Sequence, residues 1–217
     1  MAKWLMYSKR ADFTAMGKKY QIDPVVARIL VNRDLTEDAA ITAFLHPSEK
    51  DLGDGKALKD MDVAVALLQK AIKEKKKIRI IGDYDIDGVC STYILTDGLE
   101  AAGAVVSMDI PDRIKDGYGI NEHLIDKAWQ DGVDTIVTCD NGIAAIEQIA
   151  YAKELGMTVI VTDHHEVPFE EHDGKKIYLL PKADAIVDPK QEDCAYPFKS
   201  LCGTGVAYQL MTLLFRR

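Results

Sequence analysis

The chain has 217 residues, of which 47% are hydrophobic and 29% charged, with a formal net charge of −8. Length and balance fit a soluble globular protein with a substantial core, in one large domain or two small ones. The acidity argues against a surface made for non-specific DNA binding; it leaves a nucleic-acid substrate open, because carboxylates that hold divalent cations count as net charge until the metals are added.

The N-terminus, Met1-Ala2-Lys3-Trp4-Leu5-Met6, lacks the long apolar stretch of a signal peptide. No apolar run is long enough to span a bilayer, so a cytoplasmic protein with no membrane partner is expected. Residues 1 to about 55 read as a helical segment. Pro24 to Leu30 suits one short helix and Glu37 to Leu45 another, with Thr36 as N-cap and His46-Pro47 as the break. Asp60 can cap a helix that places Val63, Leu67, Ala71 and Ile72 at helical spacing. The basic run from Lys73 to Arg79 reads as a solvated helix end.

Strands and helices then alternate. Strands are expected at Ile78 to Ile81, Val105 to Ile110, Thr135 to Cys139, Thr158 to Thr162 and Ala185 to Val187. Helices are expected at Ser91 to Ala102, Asn121 to Gln130, Ala144 to Leu155 and Thr204 to Phe215. Val167 to Lys176 reads as a polar loop. The pattern implies an α/β fold: a parallel, Rossmann-like sheet flanked by helices over residues 56–217, preceded by the helical segment of residues 1–55. Cys90, Cys139, Cys194 and Cys202 form no C-x-x-C pair and read as reduced thiols. The chain ends at Phe215-Arg216-Arg217 on a helix, with nothing like a linker, so a longer parent protein is expected. No oligomer interface is legible.

Each strand runs into an acidic end: Asp83-Tyr84-Asp85-Ile86-Asp87-Gly88, Pro111-Asp112-Arg113, Asp140-Asn141-Gly142, Asp163-His164-His165 and Asp188-Pro189. In a parallel sheet these ends lie along one edge, where ligands bind, so residues far apart in sequence converge. One Asp after a strand commonly caps the next helix; five acidic ends in succession exceed what capping explains. Asp-x-Asp-x-Asp-Gly also opens a calcium-binding EF-hand loop, but the bidentate Glu of that loop falls on Ile94, and a strand rather than a helix precedes it. Asp83 and Asp85, on the same side of an extended backbone, can serve neighbouring metals, while Asp87 caps the following helix. Carboxylates with imidazoles suit Mn²⁺ or Mg²⁺. Two ions about 3.5–4 Å apart need one bridging carboxylate, and Asp140 on the middle strand is the candidate.

Taken together, Gly82-Asp83-Tyr84-Asp85-Ile86-Asp87-Gly88, Asp116-Gly117-Tyr118-Gly119, Asp140-Asn141-Gly142-Ile143, Thr162-Asp163-His164-His165-Glu166 and Leu201-Cys202-Gly203-Thr204-Gly205 resemble the DHH phosphoesterase superfamily. With Ile22-Asp23-Pro24, Phe44-Leu45-His46-Pro47 and Leu58-Lys59-Asp60-Met61, the likeness narrows to its single-strand-specific exonucleases. The resemblance implies a 5′→3′ exonuclease on single-stranded DNA, serving repair and recombination with two Mn²⁺ or Mg²⁺ ions. By resemblance, Asp85, Asp140, His164 and Asp188 hold one metal, and Asp83 with Asp140 the other. His165 faces the scissile phosphate, Asp163 orients a histidine, and Arg113 contacts a substrate phosphate. Arg79 stands where pyrophosphatase-like and oligonucleotide-cleaving relatives carry a His, which leaves the Asp83 metal fewer ligands. The Gly203 and Gly205 amides could receive a phosphate, although close packing of helix on sheet explains the glycines equally well. Tyr84 and Tyr118 could stack on bases or pack in the fold. Members of this branch carry further DHHA1-type and OB-like domains, which this length cannot contain, so weak activity of the chain alone is expected. A phosphodiesterase for short oligonucleotides or cyclic dinucleotides, and a non-catalytic DNA-binding scaffold, are the alternatives.

Overall fold

Short apolar runs, buried on both faces in four of five strands, pair into one parallel sheet in the computed structural model, which describes residue 3 and residues 9–216. The strands are β1 (Lys77–Ile81), β2 (Val105–Asp109), β3 (Thr135–Cys139), β4 (Thr158–Thr162), a hairpin of β5 (Phe169–His172) and β6 (Lys175–Tyr178), and β7 (Ala185–Val187). The parallel sheet has the order β2-β1-β3-β4-β7. The chain therefore steps outward from β1 to β2, then reverses and builds β3, β4 and β7 on the other side of β1. That reversal opens a crevice between the ends of β1 and β3.

Contact clustering divides the chain into the units Met1–Leu52 and Gly53–Arg217. The first holds α1 (Phe13–Tyr20), α2 (Pro24–Asn32) and α3 (Asp38–Leu45). Of the expected helical segment, residues 1, 2 and 4–8 lie outside the described residues, as does Arg217 at the far end. Asp12 and Asp23 cap α1 and α2 through their carboxylates, and Pro24 opens α2. The expected cap at Thr36 is not formed: α3 starts one residue later, with Glu37 at the N-cap and no side-chain bond there.

In the second unit α4 (Met61–Lys73), α5 (Ile86–Ala101) and α8 (Gly203–Phe215) cover one face of the sheet, and α6 (Glu122–Gln130) and α7 (Ile146–Glu154) the other. Alternation along the strands assigns the sides. Ile80, Val137 and Ile160 pack with Leu68, Leu95 and Leu210, whereas Ile81, Ile136 and Val161 pack with Ile125 and Ile149. Arg79 points to the α6 side, where it is 6% exposed; its guanidinium pairs with Asp109 and Asp131, and its Nε donates to Ser107. The three partners fasten β1 to β2 and to the end of α6.

Three local expectations are corrected. Asp60 stands at the N-cap of α4 but makes no capping bond; its carboxylate accepts from the Ile186 amide (3.2 Å) and so ties α4 to β7. Helix α5 begins at Ile86, not Ser91, because Asp85 rather than Asp87 caps it, accepting from the Asp87 and Gly88 amides at 2.8 and 3.0 Å. The polar loop is the antiparallel hairpin β5–β6, turned at Asp173 and Gly174, whose φ values of 52° and 72° suit an Asp-Gly turn. All four cysteines are free, and burial pushes the Cys139 thiol up to about 12. Among the described residues, no helix is long and apolar enough to cross a membrane.

Candidate metal centre

The carboxyl ends of β1, β3, β4 and β7 deliver Asp83, Asp140, Asp163 and Asp188, each no more than 1% exposed. Burying so many carboxylates is costly unless hydrogen bonds or cations compensate. Hydrogen bonds compensate Asp163 fully. Its Oδ2 accepts from the Ile143 amide (2.9 Å), and its Oδ1 from the His164 amide (2.7 Å) and the His165 ring Nδ1 (2.7 Å). Burial raises its pKa, but the His165 and Ile143 bonds outweigh burial and leave it below the usual range. Asp163 thus orients His165, through Nδ1, and raises the imidazole pKa in return.

The others are compensated only in part, Asp188 by the Lys190 amide, which donates to its Oδ1 at 2.7 Å. Asp83 Oδ1, Asp140 Oδ1 and Asp188 Oδ2 are buried without a hydrogen-bond partner among the described residues. Burial raises the Asp140 carboxyl, and pushes that of Asp188 up to about 7. His164 Nε2 lies 2.9 Å from Asp140 Oδ1 without hydrogen-bond alignment, and 3.5 Å from Asp87 Oδ2; the Asp140 contact raises the imidazole pKa. Unpartnered carboxylate oxygens beside an imidazole form a donor set for a divalent cation. Two groups of ligand atoms, each within 4.8 Å, can be drawn: Asp83, Asp85 and Asp140, and Asp140, His164 and His165. Asp140 is common to both. Its φ of 60° is unusual for a residue other than glycine, and the strain falls on the shared ligand.

Of the expected ligands, the structure brings together Asp83, Asp85, Asp140 and His164, but it groups Asp85 with Asp83 rather than with His164; Asp188 belongs to neither group, and His165, expected at the phosphate, joins the second. Arg113 is exposed, with its guanidinium 5.3 Å above the Tyr84 ring. Tyr84 stands edge-on to Tyr118, and Tyr118 edge-on to His165, so a row of edge-to-face rings leads from Arg113 to the cluster. The expected phosphate site at Gly203 and Gly205 meets occupied donors. Gly203 N–H donates to Asp87 Oδ2 (2.7 Å) and Gly205 N–H to Cys202 Sγ (3.4 Å). Gly203 serves close approach instead: a Cβ there would lie 2.9 Å from Asp140 Oδ1.

The roles of three contributors escape sequence reasoning. Asp87 caps α8 through the Gly203 and Thr204 amides and the Thr204 hydroxyl, bonds that outweigh its burial and hold its carboxyl low. Tyr118 donates its hydroxyl to the Asp140 carbonyl (3.1 Å), and the same oxygen lies 3.2 Å from His165 Nε2. Asn141 donates to the Ile81 and Cys139 carbonyls and accepts from the Ile120 amide, which joins β1, β3 and the Tyr118 loop. All three stand within the strand-end and loop motifs, but nothing in those motifs names their partners.

Known proteins resemble the chain over most of its length. The chain is 42% identical over 90% of its length to the single-stranded-DNA-specific exonuclease RecJ of Bacillus subtilis, covering 24% of that protein. It is 38% identical over 95% of its length to RecJ of Salmonella typhimurium, covering 33% of it. The chain thus spans about a quarter to a third of these curated relatives. Among solved structures, exonuclease RecJ bound to manganese aligns over 72% of this chain and 37% of its own, with TM-score 0.62 and 34% identity. RecJ from Thermus thermophilus in complex with Mn²⁺ aligns over 97% and 28%, with TM-score 0.64 and 28% identity. The model of the DHH family, N-terminal domain, matches residues 77–217, which hold every strand of the sheet and all the carboxylates above, and the chain belongs to that family.

Proposed function

We propose that residues 56–217 form the catalytic domain of a nuclease that hydrolyses the phosphodiester bonds of single-stranded DNA from the 5′ end, in repair and recombination. The observation that carries this reading is the Asp140 carboxylate, shared by two ligand groups at the crevice between β1 and β3. The donor set fits Mn²⁺ or Mg²⁺, the ions named for the solved RecJ relatives. Two such ions, when bound, supply a nucleophilic water at neutral pH and neutralise charge on the phosphoryl oxygens.

Within that reading Asp83 and Asp85 would hold one ion with Asp140, and His164 would hold the other with Asp140. Asp188, whose Oδ2 lacks a partner, completes the second set. Asp163 fixes His165 at Nδ1, and the Tyr118 hydroxyl, 3.2 Å from Nε2, holds the ring in place for that nitrogen to polarise the scissile phosphate. Arg113 and the rings below it guide the strand toward the cluster.

End-labelled oligonucleotides test the reading. With Mn²⁺, the 5′ nucleotide should be released from a single strand and not from a blunt duplex, and Asp140→Asn should abolish release. Because the chain spans a quarter to a third of its relatives, release by the chain alone is expected to be slow. Equal attack on the duplex, or activity surviving in Asp140→Asn, would overturn the proposal.

A further inference from the structure

A pocket of about 240 Å³ opens beside His165 and Tyr118 and runs past Ile143, Ala144 and Ala145 to Gln148. Apart from His165 at its mouth, the lining includes no cationic side chain, so a phosphate is not what the interior recognises. Its one carboxylate, Asp163, is engaged by the Ile143 amide and the His165 ring and offers no free anion to a cationic ligand. Gly142, Ile143, Ala144 and Ala145 form an apolar wall. Gln148 contributes an amide that makes no side-chain hydrogen bond among the described residues. An amide carries both donors and an acceptor, so by rotating it can match the edge of any base. Tyr118, 54% exposed and edge-on to His165, presents a ring for stacking at the pocket mouth. The volume is below the roughly 300–1,000 Å³ of pockets that enclose drug-sized ligands, which suits one planar ring system rather than a whole nucleotide.

We propose that this pocket receives the nucleobase of the nucleotide at the scissile phosphate, with Tyr118 stacking on it and Gln148 bonding its edge. The proposal rests on the nuclease reading above and adds a consequence. A base can enter only when it is unpaired and unstacked, so the pocket selects single strands at the reaction centre itself.

The test compares 2′-deoxyadenosine 5′-monophosphate with 2-deoxyribose 5-phosphate by calorimetric titration of the Mn²⁺-loaded chain. Both ligands share the phosphate contact to the metal cluster, so the ratio of their affinities isolates the base. The nucleotide should bind about tenfold tighter, the scale of one base–aromatic contact. The ratio should collapse in Ala144→Phe, which fills the pocket from an exposed position, and fall severalfold in Gln148→Ala. Equal affinities in the unsubstituted chain, a ratio unchanged in both variants, or no binding of the nucleotide to folded, metal-loaded protein would overturn the proposal. Failure of the nuclease reading has a separate signature: selective nucleotide binding with no release from labelled single strands.

Discussion

Asp140 concentrates the demands of the site in one residue: full burial, left-handed backbone, an unpartnered oxygen and membership of both ligand groups. Its neighbour in space, Tyr118, bonds the Asp140 carbonyl and meets His165 with one oxygen. Removing only that oxygen in Tyr118→Phe should lower kcat on single-stranded DNA about fivefold, the scale of one hydrogen bond, with KM unchanged because the ring remains. A change confined to KM would show that the hydroxyl does not act through His165. At this scale the sequence was informative about which side chains meet, because strand ends in a parallel sheet share an edge. It was silent about tautomers and hydroxyl partners, which depend on loops such as the one carrying Tyr118.

Helix α8 is bound to the site through its first turn, where Gly203, Thr204 and the Thr204 hydroxyl all converge on Asp87. Asp87→Ala strips those donors of their acceptor and should cost about 1–2 kcal/mol of stability, measured by urea unfolding. A loss within about 0.5 kcal/mol would show that water replaces the carboxylate without penalty. The role of Asp87 could not be read from its position, because its partner helix lies more than a hundred residues further on. By contrast β3 and β4 match their expected bounds residue for residue, since β-branched runs buried on both faces leave no other reading. The β5–β6 hairpin was legible in Asp173-Gly174 but was masked by its exposed, charged flanks. Helix α5 reaches five residues further back than its sequence pattern suggests, because a glycine ordinarily weakens a helix, whereas Gly88 is needed inside this one: a Cβ there would lie 2.4 Å from the Asp83 carbonyl oxygen.

Across the whole molecule, the net charge of −8 includes a cluster of buried carboxylates, and this couples stability to pH and to metal. Asp188 titrates near 7 when folded, against an ordinary 3.8. Between those values the folded chain keeps a proton that the unfolded chain has lost, so its contribution to metal-free stability falls as pH rises through that window. His164 and His165, both raised, act with the same sign: their contribution is complete below 6.5 and fades as pH passes their folded values. Divalent cations displace these protons, so the gain in Tm from Mn²⁺ should be larger at about pH 8 than at about pH 6, by scanning calorimetry. An equal gain at both would place the ion away from these groups.

Counting bound Mn²⁺ by calorimetric titration and by electron paramagnetic resonance tests the shared carboxylate most directly. The unsubstituted chain should hold two ions with spin coupling between them. Asp83→Asn should retain one uncoupled ion, and Asp140→Asn should lose measurable affinity at both sites. Two ions still bound in Asp140→Asn, or a single ion in the unsubstituted chain at saturation, would contradict a centre built around Asp140.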